Sequence, residues 1–182
     1  MDKAYVFFAD GLEEVEALTP VDMLRRAGVL VTTVSMTGER TITGDHHVKL
    51  AADCLFTDCD FKDGDLFILP GGPGHLFLKG SYDLKKLLQE KNAEGKHIAA
   101  ICASPSVLAA FGIVGSRKAV VYPGMESLMG DADMQEQPVV TDGNLTTGHG
   151  PGAAFDFAFE LVRIAKGEQA MLDLKKQTVW QH

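Results

Sequence analysis

The sequence predicts one α/β domain, spanning residues 1–182, with a doubly wound, mainly parallel sheet and helices on both faces. Three observations carry that prediction. Short apolar runs rich in Val, Ile and Phe alternate with segments of helical period. Glycine, proline or aspartate punctuates the ends of the runs. The runs within 65–69 and 98–101 lack the alternation of a half-wet strand, as expected of strands covered on both faces. In such a sheet ligands gather outside the carboxyl ends of the strands, at a switch point of the strand order.

The first strand lies within 5–9 and is closed by Asp10-Gly11. A helix begins at Leu12 with acids in its first turns; Leu12, Val15, Leu18, Met23 and Leu24 give it an approximate apolar face, and Gly28 closes it. Residues 29–34 supply a β-branched second strand. Thr41-Ile42-Thr43 and Val48-Lys49-Leu50 flank Gly44-Asp45 as a small hairpin or irregular edge. The strand over 65–69 ends in Pro70-Gly71-Gly72-Pro73-Gly74, whose amides can approach a ligand or a neighbouring turn. Leu84, Leu87 and Leu88 mark a helix that ends at Gly95. A short strand over 119–122 stops at Pro123-Gly124, and another over 138–141 turns at Asp142-Gly143 into 144–147. After Gly148-His149-Gly150-Pro151-Gly152, Ala154, Phe155, Ala158, Leu161, Val162 and Ala165 recur at helical spacing, and 171–174 suggest a short terminal helix.

The chain is organised around residues 96–110. There an apolar run stops at Cys102, and Ser104 as a cap, Pro105 in the first turn and Val107 to Ala110 behind it begin a helix. Strand, tight turn and helix place Cys102 at a sheet edge and at the positive end of a helix, where unpaired amides favour a thiolate. A buried strand-end cysteine behaving as a small hydrophobe is the alternative.

Composition excludes several classes. The net charge, 17 − 25 = −8, opposes nucleic-acid and anionic-membrane partners, and no basic stripe overrides it. With no signal-peptide pattern at Met1-Asp2-Lys3 and no apolar run of membrane-spanning length, the cytoplasm is the expected compartment. Three cysteines, an odd number, suggest reduced thiols. Cys54 and Cys59, among Asp53, Asp58 and Asp60, match no common zinc spacing and read as two unrelated loop thiols; no metal is expected. The glycine run lacks a dinucleotide pattern and a Walker lysine, so no cofactor is expected either. The absence of a Gly-x-Ser-x-Gly elbow argues against a serine hydrolase.

A nucleophilic cysteine needs donors for the anion it generates and a group that moves protons. The amides of Ala103, directly after Cys102, and Gly72, in the glycine loop beside Gly71, are candidates for the first. Glu16 is the candidate acid: it lies a turn into the first helix and faces the same sheet edge. It reads either as a solvated carboxylate favoured by the helix dipole or, if it points inward, as a group kept protonated by burial and able to donate to Cys102. Among His46, His47, His75, His97, His149 and His182, His149 between two glycines is best placed to reach a pocket, and His97 at a strand start reads as structural.

Gly11-Leu12-Glu13-Glu14-Val15-Glu16, Thr19-Pro20-Val21-Asp22, Arg25-Arg26-Ala27-Gly28, Leu69-Pro70-Gly71-Gly72, Ala100-Ile101-Cys102-Ala103 and Gly150-Pro151-Gly152 follow one another in order. Together they resemble the DJ-1 (ThiJ/PfpI) superfamily, in particular its DJ-1-like branch, from Tyr5 to about Lys166. The resemblance implies a flavodoxin-like fold, a homodimer, and a nucleophile elbow with a protonated glutamate beside it. Those roles fall on Cys102 and Glu16, and the amides on Gly72 and Ala103. It also implies oxidative or carbonyl stress defence: glutathione-independent conversion of glyoxals to 2-hydroxy acids, deglycation, or redox sensing and chaperone-like holding through oxidation of Cys102 to a sulfinate. The partner is then a small aldehyde or an oxidant. Peptidase and thiazole-biosynthesis roles fit less well, because Ala103 stands where the protease-like branch has a histidine. Tyr122 before Pro123 replaces a histidine of many animal DJ-1 proteins, and His149 replaces an arginine. Tyrosine donates hydrogen bonds well but is a poor base at neutral pH, so acid–base duty falls on Glu16 or His149.

Overall fold

A computed structural model describes residues 1–181; His182 lies outside them. Eleven strands and six α-helices alternate along the described chain. They are β1 (Lys3–Phe8), α1 (Glu14–Arg26), β2 (Leu30–Ser35), β3 (Thr41–Thr43), β4 (Lys49–Ala51), β5 (Cys54–Leu55), β6 (Leu66–Leu69), α2 (His75–Gly80), α3 (Tyr82–Ala93), β7 (His97–Ile101), α4 (Pro105–Ala110), β8 (Lys118–Ala119), β9 (Asp133–Met134), β10 (Val139–Asp142), β11 (Leu145–Gly148), α5 (Ala154–Lys166) and α6 (Glu168–Gln177).

Seven strands form the central sheet in the order β10-β11-β7-β6-β1-β2-β5. All neighbours are parallel except β10 and β11, the hairpin that Asp142-Gly143 predicts. Alternation along β1 explains the layers. Ala4, Val6 and Phe8 face one core with Leu24, Phe157 and Leu161, whereas Tyr5 and Phe7 face the other with Leu84, Leu88 and Leu108. Thus α1, α5 and α6 cover one face and α2, α3 and α4 the other, as expected of a doubly wound sheet. No helix among the described residues is long and apolar enough to cross a membrane.

Several local expectations change. The inward stripe of α1 is Glu16, Ala17, Pro20, Val21, Met23 and Leu24, while Val15 and Leu18 are 46% and 40% exposed. An apolar pattern that mixed both sides of the helix hid two buried acids, Glu14 and Glu16. The run over 119–122 pairs as a strand only at Lys118–Ala119; beyond it, Val120 N–H donates to Thr147 Oγ1 and Tyr122 N–H to Cys102 O. Phe155 is exposed on its helix but stacks on Trp180, with ring centroids 4.8 Å apart. Cys54 and Cys59 are not unrelated thiols. They form a disulfide, because the single 3₁₀ turn Phe56–Asp58 folds the chain back and brings their Cα atoms to 6.7 Å.

Candidate active site around Cys102

The site is built where β7 stops. Cys102 takes φ of +64°, a left-handed conformation that costs a non-glycine residue on the order of 1 kcal/mol and persists only where neighbours hold it. Its N–H donates to Gly148 O at 2.9 Å, and its carbonyl accepts from Tyr122 N–H at 2.8 Å. Ser104 does not cap α4 through its side chain. Its Oγ instead donates to Pro70 O at 2.6 Å, tying the cysteine turn to the glycine loop.

That loop is the second wall. A Cβ on Gly71 would stand 2.5 Å from Cys102 Cβ and 2.6 Å from Glu16 Oε2, so only glycine lets the cysteine and glutamate meet here. Gly72 combines φ of +79° with a close approach to Gly11 O, where a Cβ would stand 2.5 Å away. The glycine run therefore serves both a neighbouring turn and the site. The third wall is α1. Glu13 caps it by accepting from Glu16 N–H at 2.7 Å, which turns Glu16 inward until its side chain is fully buried.

The structure thus brings Glu16, Gly71, Gly72, Cys102 and Ala103 together from three segments. Glu16 Oε2 accepts from Gly71 N–H at 2.9 Å, and a Cβ on Gly71 would stand 2.6 Å from that oxygen and 3.0 Å from Cys102 Sγ, so the carboxyl and the sulfur are neighbours, with the Gly72 and Ala103 amides near enough to favour a thiolate. Both expected amides act on the sulfur itself, lowering the thiol against its burial. Glu16 Oε1 is buried without a hydrogen-bond partner among the described residues.

Burial pushes the Glu16 carboxyl up to about 7; hydrogen bonds from Cys102 and Gly71 oppose the rise, and the charge of Glu13 adds to it. Burial also pushes the Cys102 thiol up to about 12, and Glu16 adds to that rise against the Gly72 and Ala103 amides. The expectation of a thiol lowered by a helix end is therefore corrected: α4 has six residues, and desolvation with an acidic neighbour outweighs two amides. At neutral pH the pair retains at least one proton and carries at most one negative charge. With that charge on Glu16 the thiol keeps its proton; only with the proton on Glu16 does the carboxyl no longer repel a thiolate.

Tyr122 and His149 lie beside the pair, across Gly150. A Cβ on Gly150 would stand 3.3 Å from the Tyr122 ring and 4.0 Å from Glu16 Oε1. Beyond it opens a cavity of about 370 Å³ whose lining includes Tyr122, Pro138, His149, Pro151 and Asp156. Sequence reasoning missed Ser104 and Gly148 as supports of the cysteine, and Gly150 as the residue whose bare Cα leaves room. Only the motif Gly150-Pro151-Gly152 signalled any of them. His97 is buried against Thr146 Oγ1 at 2.8 Å, as a structural residue should be. Burial holds it well below the usual histidine range, at about 4. His46 Nδ1 lies 2.8 Å from Oε2 of the buried Glu14, and His75 Nδ1 lies 2.9 Å from Gly72 O.

With this arrangement in hand, the family model described as DJ-1/PfpI family matches residues 2–164. The chain belongs to the DJ-1/PfpI family. The Parkinson disease protein 7 homolog of Danio rerio is 35% identical over 179 residues, covering 95% of this chain and 94% of the fish protein. A protein named deglycase from Pyrococcus abyssi is 28% identical over 166 residues, 90% of this chain and 99% of the relative. Oxidized DJ-1 of Toxoplasma gondii superposes with a TM-score of 0.96 at 31% identity, and each chain is covered completely. Membership in the DJ-1/PfpI family accounts for the order in which the motifs occur and for the parallel sheet between two helical layers.

Proposed function

We propose that this protein is a cysteine-dependent enzyme of carbonyl stress defence that converts 2-oxoaldehydes to 2-hydroxy acids. One observation carries the reading: Cys102, held at positive φ, meets the fully buried Glu16 carboxyl across Gly71, and burial pushes that carboxyl up to about 7. That carboxyl can hold or release a proton near neutral pH. The deglycase name of the Pyrococcus relative agrees with carbonyl chemistry.

The steps balance as an internal redox exchange. The Cys102 thiolate adds to the aldehyde carbon, and the resulting alkoxide takes the proton from Glu16, giving a hemithioacetal. Glu16, now a carboxylate, removes the hydrogen from the former aldehyde carbon as a proton and returns it at the adjacent carbon, while the hydroxyl proton of the hemithioacetal passes to the former ketone oxygen. The first carbon is thereby oxidised to a thioester while the ketone is reduced to an alcohol. Water then displaces the Cys102 sulfur and releases the 2-hydroxy acid. Purified protein should consume methylglyoxal and accumulate lactate. Rates no better than those of Cys102→Ala would overturn the reading.

A second reading has its own support. The Gly72 and Ala103 amides, which lower the thiol against its burial, suit the oxygens of a sulfinate, and Glu16 could share a proton with one of them. In this reading the protein senses oxidants or holds damaged proteins. Mild peroxide, followed by mass spectrometry, should then add two oxygens to Cys102 and leave methylglyoxal untouched.

We also propose a homodimer through the outer face of α1, where Val15, Leu18 and nearby Val48 are exposed. Light scattering should return twice the chain mass of 19.6 kDa, and Leu18→Glu should halve it.

A further inference from the structure

Two acids in the first turn of α1 are buried, and the proposed chemistry uses only one of them. Residues two apart on a helix stand about 200° apart around its axis, so with Glu16 turned to Cys102, Glu14 faces away from it. It enters the turn between β3 and β4. There its Oε1 accepts from His46 N–H at 2.8 Å and from Val48 N–H at 3.4 Å, and its Oε2 meets His46 Nδ1 at 2.8 Å. Burial alone would raise the Glu14 carboxyl, but the hydrogen bonds from His46 and the backbone outweigh it and hold the group below the usual carboxylate range. The turn is shaped to receive it: a Cβ on Gly44 would stand 2.2 Å from Glu14 Oε1 and 2.5 Å from its Cδ, so any side chain there displaces the carboxylate.

The same turn is fastened to the backbone that precedes α1. Thr43 N–H donates to Asp10 Oδ1, Gly11 N–H to Thr43 O and Asp45 N–H to Leu12 O, each at 2.8 Å. On its other side that segment meets the glycine loop. Gly74 N–H donates to Gly11 O at 2.9 Å, and Glu13 N–H to Gly71 O at 3.1 Å. Residues 10–13 are therefore clamped between the β3–β4 turn and the loop that brings Gly71 to Glu16 and Cys102. Glu13, the last of them, is the cap that turns Glu16 inward.

We infer that Glu14 is a positioning residue: seated in the β3–β4 turn, it fixes the first turn of α1 from behind and so keeps Glu16 against Gly71 and Cys102. Without its carboxylate, the His46 and Val48 amides lose their acceptor and the turn parts from the helix start. Water then reaches Glu16, which ionises more easily, and Cys102 loses part of the burial and repulsion that raise its thiol. The inference deepens the enzymatic reading and rests on it only for the effect on turnover.

Two readouts need no turnover. The Glu16 carboxyl is titrated by carbon-13 NMR, its signal assigned by its loss in Glu16→Gln. Cys102, the only free cysteine among the described residues, is alkylated with iodoacetamide at pH 8. Glu14→Ala should lower the Glu16 midpoint by about one unit and raise the alkylation rate several-fold. Methylglyoxal conversion per folded molecule should fall about tenfold, as displacement of a proton carrier requires. A purely structural Glu14 would lower stability and leave the midpoint and both rates per folded molecule unmoved. Glu14→Gln keeps an acceptor for the two amides and should restore parent values, which separates position from charge. Gly44→Ala presses on Glu14 from the other segment and should reproduce the shifts of Glu14→Ala in smaller measure; if Glu14→Ala does not fold, Gly44→Ala decides. An unmoved Glu16 midpoint in the alanine variants, or one moved as far in Glu14→Gln, overturns the inference. If the parent leaves methylglyoxal unchanged, the enzymatic reading fails and the midpoint still decides the role of Glu14.

Discussion

Cys102 and the Cys54–Cys59 disulfide lie at the same carboxyl edge of one sheet, in opposite surroundings. Four strand spacings separate β7 from β5, on the order of 19 Å. Cys102 is buried at a central switch between strand and helix, with two amides and a carboxyl at its sulfur. Cys54 and Cys59 are half-buried on a two-residue edge strand and the turn after it, with Phe56 and Phe61 packed nearby. Proximity to a sheet edge is therefore not what distinguishes the two surroundings. Convergence of three segments on one sulfur is, and the described residues of the edge loop show no comparable convergence.

The largest effect to expect from this contrast is on turnover. Cys102→Ala should lower methylglyoxal conversion by about a thousandfold or more, while Cys54→Ser with Cys59→Ser stays within about twofold. Equal losses in steady-state assays would break the comparison, since the edge pair would then be acting on the chemistry.

A smaller effect separates the regions by pH. Glu16 titrates at about 7 when folded and near 4.5 when unfolded, so the folded state holds the extra proton, and stability falls as pH rises from about 4.5 to about 7. The loss is on the order of 3 kcal/mol. His97 acts in the other direction: its folded value of about 4 lies below 6.5, so stability is lost as pH falls from about 6.5 to about 4. The two slopes oppose each other in the parent protein. Glu16→Gln should remove the first, leaving a profile that climbs between pH 4 and 6.5 and a gain of about 3 kcal/mol at pH 8 by urea titration. A profile parallel to the parent's would mean that Glu16 is solvated.

At the edge, the expected effect is purely on stability. The disulfide joins residues five apart, and closing so short a loop limits the unfolded chain by about 2 kcal/mol. Cys54→Ser with Cys59→Ser, or dithiothreitol, should lower the free energy of unfolding by that amount without moving the alkylation rate of Cys102. A parallel change in that rate would show the two regions to be coupled.

How much of this was legible in the sequence follows from the range of the interactions. The parallel sheet, the β10–β11 hairpin and the position of Cys102 were legible because apolar runs and turn residues act within a few positions. Gly71, Gly72, Ala103 and Glu16 were legible as candidates, but the inward turn of Glu16 was not. It depends on the Glu13 cap and on a glycine 55 residues away that leaves room for the carboxyl. The apolar face of α1 was misread for the same reason, since Val15 and Leu18 look like core residues until the helix is docked. The Cys54–Cys59 pairing escaped because odd counts and zinc spacings do not register one 3₁₀ turn. The raised thiol was missed because helix position is local, whereas burial is a property of the whole fold.

The smallest effect sharpens the comparison most, because it concerns a support given to Cys102 and not to the edge pair. Ser104 Oγ donates to Pro70 O in a fully buried position, and no side chain plays this role at the edge pair. Ser104→Ala would leave that carbonyl without its donor, at a cost of about 1 to 2 kcal/mol in unfolding free energy. Ser104→Cys, with a weaker donor of similar size, should recover part of it. If the bond merely fills space, methylglyoxal conversion per folded molecule will be unchanged in Ser104→Ala. If it holds the cysteine turn against the glycine loop, loosening it lets Gly72 N–H drift from the sulfur. Turnover should then fall several-fold at saturating methylglyoxal, with KM little altered, and the alkylation rate of Cys102 should shift with it. A stability loss with both rates intact would assign Ser104 to packing and leave Gly71 and Glu16 alone in holding the pair.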